Sequence, residues 1–287
     1  MSKKLKKLVK KGINLLGWEL SDLKSFNESA KVRALYKSEI TQLKVKVDRL
    51  TYLTSKSTFA NKEQLGILGL PGDVAGNLSK SKAQLSQDLF TLEYLNKKRD
   101  GYFVEFGATD GVSFSNTFLL EKEYGWKGIL AEPARCWMAA LKENRNCIIE
   151  NRCIWSKSGE ILTFNETKQP TLSTIDFYTN IDYNSKKRED KITYKVETIS
   201  LNDLLHVHNA PTDIDYLSVD TEGSEFEILN AFDFSKYRVK IITVEHNFTP
   251  LRDTILKLLI SKGYKRVFET ISLFDDWYIN ESITNPG

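Results

Sequence analysis

The chain has 287 residues, 41% hydrophobic and 28% charged, which is enough to bury one sizeable α/β core and carry an appendage. Its formal net charge of +3 is too small to argue for a nucleic-acid surface, and no apolar run approaches the roughly twenty residues that a membrane span needs. Cys136, Cys147 and Cys153 are odd in number and fall on or beside expected core elements, so a reduced, cytoplasmic protein without disulfides is the expectation.

Residues 1–58 read as a helical extension. The first stretch holds lysines at 3, 4, 6, 7, 10 and 11, interleaved with Leu5, Leu8, Val9, Ile13, Leu16 and Leu20 at spacings that line one helical face. Two readings stay open for residues 1–20. One is a basic amphipathic helix, with Trp18 near its end, making a peripheral contact with the inner face of a membrane; the other is a solvated, frayed terminus. Gly12 to Trp18 is too short for a signal peptide and lacks a clear small-residue cleavage site. Tyr36, Ile40, Leu43, Val47 and Leu50 then step by fours and threes, a heptad seam that packs on a partner subunit, giving a homo-oligomer, or on the chain's own main domain. Residues 59–82, with Gly66, Gly69, Pro71-Gly72 and Gly76, read as a linker, and 83–287 as the main domain.

That domain opens with an amphipathic helix from Gln84 to Leu95, with Gln87 and Asp88 at its polar edge, either facing solvent or touching a ligand. Tyr102 to Phe106 follow as a short buried strand of aromatic and β-branched residues interrupted only by Glu105. The next turn, Gly107-Ala-Thr-Asp-Gly111, spaces its glycines as Gly-x-x-x-Gly, which lets a ligand lie against the strand end. A pyrophosphate site wants Gly-x-Gly-x-x-Gly and bare amides. The acids Glu105 and Asp110 would repel phosphate, but they suit the ammonium and sulfonium of S-adenosylmethionine, and an NAD-dependent dehydrogenase is disfavoured on the same ground.

Ser113 to Tyr124 read as a crossover helix, Lys127 to Glu132 as a second strand whose terminal acid sits where such folds bind a ribose diol, and Ala134 to Asn144 as a helix. Cys147 to Ile154 is expected as strand three and Glu160 to Phe164 as an added strand. The irregular segment Thr167 to Lys191, with Thr171, Ser173, Thr174, Phe177, Tyr178 and Tyr183, is expected to be a substrate lid rather than filler. Ile192 to Glu197 and Leu201 to Val207 read as a strand and a short helix. Ile214 to Asp220 is a buried strand ending in a carboxylate, followed by Glu222-Gly223 and a helix. Val239 to Val244 repeats the pattern and ends in Glu245-His246-Asn247; a helix over Pro250 to Ser261 and a terminal hairpin close an alternating α/β fold.

The segments Gln84-x-x-Gln87-Asp88-Leu-Phe, Gly101 to Gly111, Ser115-Asn116-Thr117, Gly125-Trp126-Lys-Gly, Glu132-Pro133 and Asp220-Thr-Glu-Gly-Ser-Glu-Phe-Glu-Ile-Leu229 together resemble the FkbM family of S-adenosylmethionine-dependent methyltransferases. The resemblance runs from about Gln84 to the C-terminus. It implies a class I methyltransferase fold, a Rossmann-like seven-stranded sheet whose last strand is antiparallel in a C-terminal β-hairpin, and O-methylation of hydroxyls, commonly on sugars of glycans or on glycosylated and polyketide products. It also implies cofactor contacts: Glu105, Gly107 and Asp110 at the methionine, Glu132 at the ribose, and Asn151, Arg152 and Cys153 at the adenine. Gln87, Asp88, Ala108, Gly111, Asn116 and Asp220 complete that set. Where the family often has small residues, this chain has Arg152 and Cys153.

A sugar hydroxyl is a poor nucleophile at neutral pH and needs a base or a metal. Asp220, Glu222, Glu245, His246 and Asn247 are expected to meet at the sheet's carboxyl edge, leaving two routes. Asp220, Glu245 and Asn247 would hold magnesium or another divalent cation through oxygen ligands. Alternatively His246 or Glu222 is a general base beside Asp220. Glu222 and Glu225 also suit the positive end of the next helix. The expected acceptor is a sugar or glycoconjugate. A lipid or polyketide hydroxyl and a non-catalytic assembly protein of the same fold remain the alternatives, and no nucleic acid is expected as partner.

Overall fold

The computed structural model describes residues 77, 79–179, 185–269 and 272–282. The expected N-terminal extension, with its basic helix and heptad seam, most of the linker, and Tyr183 lie outside the described residues. No described helix is long and apolar enough to cross a membrane.

A seven-stranded sheet organises the rest. Its strands are β1 (Tyr102–Phe106), β2 (Lys127–Ala131), β3 (Ile148–Glu150), β8 (Asp213–Val219), β9 (Arg238–Glu245), β10 (Tyr264–Val267) and β11 (Asp275–Asn280), in the order β10-β11-β9-β8-β1-β2-β3. The five strands from β3 to β9 pair in parallel, whereas β11 runs antiparallel to β9 and forms the terminal hairpin with β10. This is the sheet of class I methyltransferases, as the resemblance implied.

Helices cover both faces, so the central strands are apolar on both sides rather than alternating with polar residues. Val104, Leu217 and Ile242 pack with α4 (Leu201–Val207), α5 (Glu225–Asn230) and α6 (Leu251–Ser261). On the opposite face Phe103, Leu130, Tyr216 and Trp277 pack with α1 (Gln87–Tyr94) and α2 (Phe118–Tyr124), and α3 (Met138–Asn144) contributes Leu141. Glu105 alternates onto the same side as Phe103, which makes it a carboxylate inside a core.

Two expectations are corrected. The crossover helix begins only at Phe118, because residues 113–117 bend back to satisfy Glu105. Cys147 to Ile154 is not one strand. It breaks at Asn151-Arg152, where Arg152 folds back on Glu150, and β4 (Cys153–Trp155) joins a separate four-stranded sheet, order β4-β7-β5-β6. There β5 (Ile161–Thr167) and β7 (Lys191–Ser200) form a long antiparallel ladder, with β6 (Thr174–Ile175) on its edge. The polar segment between β5 and β7 is thereby held as an insertion with its own small core, including Phe164, Ile175 and Tyr178.

Candidate active site

At β1 the strand order reverses, with β2 on one side and β8 on the other, and open α/β sheets bind ligands at such a point. A cleft of about 230 Å³ lies there, over the carboxyl ends of β1, β2, β8 and β9. Its floor carries Glu105, Glu132, Asp220, Glu222 and Glu245, and its roof is the expected lid, through Pro170–Leu172, Ser173, Ile175 and Lys187. Among the described residues, Lys187 is the only cationic side chain on this lining.

Each acid is held differently. The Glu105 carboxylate accepts hydrogen bonds from Ser115 Oγ (3.0 Å), the Asn116 amide (2.7 Å) and Thr117 Oγ1, and the buried Arg145 lies 3.9 Å away. Burial raises its pKa, against the pull of Arg145 and these donors. Glu132 accepts from the amides of Thr109 (2.9 Å) and Ala134 (2.7 Å); burial nonetheless pushes it up to about 7. Glu222 is ion-paired to Arg188 at 2.6 Å. Asp220 and Glu245 form a hydrogen-bonded acid pair: burial, and then the charge of its partner, hold Glu245 well above the usual carboxylate range, while burial pushes Asp220 up to about 7 against the hydrogen bond from Glu245. The two carboxyls therefore titrate together rather than independently.

Left-handed backbone recurs on the cleft wall. Thr109, Phe114, Glu222 and Asn247, all on the cleft wall, adopt φ of 47°, 62°, 57° and 42°. Such a conformation costs a non-glycine residue roughly 1–3 kcal/mol. Gly107, at φ 72°, packs so closely on the next loop that a Cβ there would stand 2.2 Å from the Asp220 carbonyl oxygen.

Of the expected site residues, the fold brings Glu105, Gly107, Asn116, Glu132, Cys153, Asp220, Glu222, Glu245 and Asn247 to the cleft. Others it does not. Gln87 is buried and donates to Asp275 (2.6 Å), and Asp88 is buried against Ser81 and Leu89. Ala108, Asp110 and Gly111 shape the loop from behind: Asp110 accepts from the amides of Val112 and Ser113, and Gly111 backs onto Arg145. Asn151 is exposed and Arg152 is paired with Glu150. His246 is buried behind the acids. Its Nδ1 accepts from the Phe248 amide, its Nε2 lies 3.8 Å from Asp276 without a hydrogen bond, and burial pulls its pKa down to about 3. A neutral imidazole beside a small void away from the main cleft is badly placed as a base.

Asn247 turns its amide nitrogen toward Glu245 (2.7 Å) and Glu222 (3.3 Å), so a donor rather than a ligand oxygen faces the acids. The tightest set of potential metal ligands among the described residues is Asp220, Glu222 and Glu245, with oxygens within 4.8 Å of one another. In the lid, Thr171 and Ser173 line the cleft, Thr174 donates to the Glu222 carbonyl, Tyr178 packs on Gly223, and Phe177 points to solvent. Sequence reasoning missed Gln84, Phe114, Phe274, Lys187 and Arg188. Gln84 sits inside a motif already singled out; the others carry no periodicity or motif.

For S-adenosylmethionine the donor set fits. Asn116 donates from its amide nitrogen to Ser218 Oγ, which fixes its rotation and leaves its buried carbonyl oxygen without a partner on the cleft wall, a waiting acceptor for an ammonium group. Glu132 offers lone pairs to a diol, and Cys153, Ile154 and Phe164 supply an apolar wall for a heterocycle.

A family model for the methyltransferase FkbM domain matches residues 105–266. No curated protein matches the chain. Among solved structures, precorrin-6y C5,15-methyltransferase from Geobacter metallireducens GS-15 aligns at 11% identity with a TM-score of 0.34, over 67% of this chain and 84% of that one. The family match starts at the core acid of β1, ends in the terminal hairpin and takes in more than half of the sequence: the chain belongs to the FkbM-domain family of S-adenosylmethionine-dependent methyltransferases.

Proposed function

We propose that the protein is an O-methyltransferase acting on a sugar hydroxyl of a glycan or glycoconjugate, with Asp220 as the general base. The observation that carries this reading is the Asp220–Glu245 pair on the floor of the cleft, beneath a roof bearing the Thr171 and Ser173 hydroxyls. A base works best with a pKa near the working pH, and burial, against the hydrogen bond from Glu245, lifts Asp220 to about 7.

When bound, the cofactor supplies a methyl group already activated on sulfonium sulfur. Asn116 would receive its ammonium group and Glu132 its ribose. The chain's task is alignment and deprotonation: Asp220 would accept the proton that the acceptor hydroxyl gives up on methylation. Restricting the two reactants to near-attack geometry supplies roughly 7–11 kcal/mol in favourable cases. Glu222, held by Arg188, shapes the loop.

The test is methyl transfer from labelled S-adenosylmethionine to a panel of free sugars, glycans, lipids and polyketides. Asp220→Asn is expected to lose at least a hundredfold in rate while still binding S-adenosylhomocysteine, in keeping with the 10²–10⁴ of general-base catalysis. An Asp220→Asn enzyme of undiminished rate, or transfer only to lipid or polyketide hydroxyls, would sink the reading. Labelling confined to nitrogen or carbon would do the same. A second reading, a divalent cation on Asp220, Glu222 and Glu245, is favoured by the 4.8 Å grouping of their oxygens. It requires activity to vanish on chelation and return with magnesium.

A further inference from the structure

The insertion carries three consecutive basic residues with three different fates. Lys186 is exposed and off the cleft lining, Lys187 lines the cleft, and Arg188 is fully buried. Arg188 is the anchor of its 3-10 turn, Ser185–Arg188. It donates to the Leu172 carbonyl (2.8 Å), the Thr179 carbonyl (3.4 Å) and Glu222 (2.6 Å), so one guanidinium ties two points of the roof to one of the floor of the site. A buried ion pair with further hydrogen bonds fixes position far better than a surface pair does. The backbone of the neighbouring residue is thereby fixed at the roof, and Lys187, itself exposed, lines the cleft from there. Lys187 makes no hydrogen bond or ion pair with any described residue.

The cleft beneath is less negative than its five acids suggest. Glu222 is ion-paired to Arg188, Glu105 lies beside Arg145, and Asp220 and Glu245 are joined by a hydrogen bond. The bound cofactor adds the positive charge of its sulfonium. An anionic group on the acceptor is thus compatible with the floor, and among the described residues the roof offers it the Lys187 cation and the Thr171 and Ser173 hydroxyls.

We infer that the turn Ser185–Arg188 selects the acceptor: Lys187 binds a negatively charged group, a carboxylate or a phosphate, on the sugar to be methylated, and Arg188 is the positioning residue that presents Lys187 to the cleft. This inference rests on the sugar-hydroxyl reading above.

The experiment measures binding of D-glucuronate, D-glucose 1-phosphate and D-glucose by ligand-observed NMR to the full chain saturated with S-adenosylhomocysteine. At least one charged sugar is expected to bind about tenfold more tightly than glucose, and the stronger of the two names the anion. Lys187→Gln should erase that preference and Lys187→Arg should keep it, with S-adenosylhomocysteine affinity unchanged in both. Arg188→Met should erase it too although Lys187 is intact; if that variant does not fold, the Lys187 pair carries the test. Equal binding of the three sugars to the wild type, or a preference that survives Lys187→Gln, overturns the inference and leaves the sugar reading standing. Weakened S-adenosylhomocysteine binding in Lys187→Gln assigns the lysine to the cofactor's carboxylate, and also overturns it. Binding of no sugar at all removes the acceptor reading, and this inference falls with it.

Discussion

Glu132 shows how a single residue is made useful by what surrounds it. Two backbone amides fix its carboxylate and burial lifts its pKa, yet part of it still faces the cleft. If it receives the ribose, Glu132→Ala should weaken S-adenosylhomocysteine by tenfold or more in calorimetric titration, the range of one hydrogen bond to a charged group at about 1.5–3 kcal/mol. Unchanged affinity would remove it from the cofactor site. The acids at the strand ends were legible because a buried strand is visible as a short apolar run, and its last residue then has a known place. Their partners were not. Arg145 and Arg188 reach Glu105 and Glu222 across 40 and 34 positions, and no periodicity links such residues.

At the scale of elements, Arg145 binds the pieces of the first half together. Its guanidinium reaches Glu121 on α2 (2.6 Å), the Gly111 carbonyl, Ser115 and Thr117, with its own side chain wholly buried. Removing one partner from such a network strands the others, so Arg145→Met should cost about 3–5 kcal/mol in denaturant unfolding. A loss under 1 kcal/mol would mean that the loop is held by packing alone. The alternation of strands and helices was readable from residue patterning, and so was the terminal hairpin. The break at Asn151-Arg152 was not, because an apolar stretch does not reveal that its two halves belong to different sheets.

Over the whole molecule, buried carboxylates set the pH dependence of stability. Burial raises Asp88 to about 7 and Asp275 to about 8, from an ordinary value of 3.8. Each favours the fold while protonated, and that contribution is lost as pH rises from about 4 through the folded value, at about 1.4 kcal/mol per pH unit for one such group. Glu150, held down to about 2 by Arg152 and His208 against its burial, acts in the opposite sense and only in acid. Thermal melting from pH 4 to 9 should therefore show a maximum on the acid side of neutrality, and Asp88→Asn should flatten part of the alkaline fall. A melting temperature flat from pH 5 to 8 would show that these acids are not buried as described. The contact between Gly107 and the Asp220 carbonyl has a mechanical meaning as well. Main chain rests on main chain with no side chain between them, so the spacing between the turn after β1 and the turn after β8 is set by the stiffest parts of the polypeptide. Rotamer motion hardly enters that distance, and the two strand ends keep their separation whatever occupies the cleft between them.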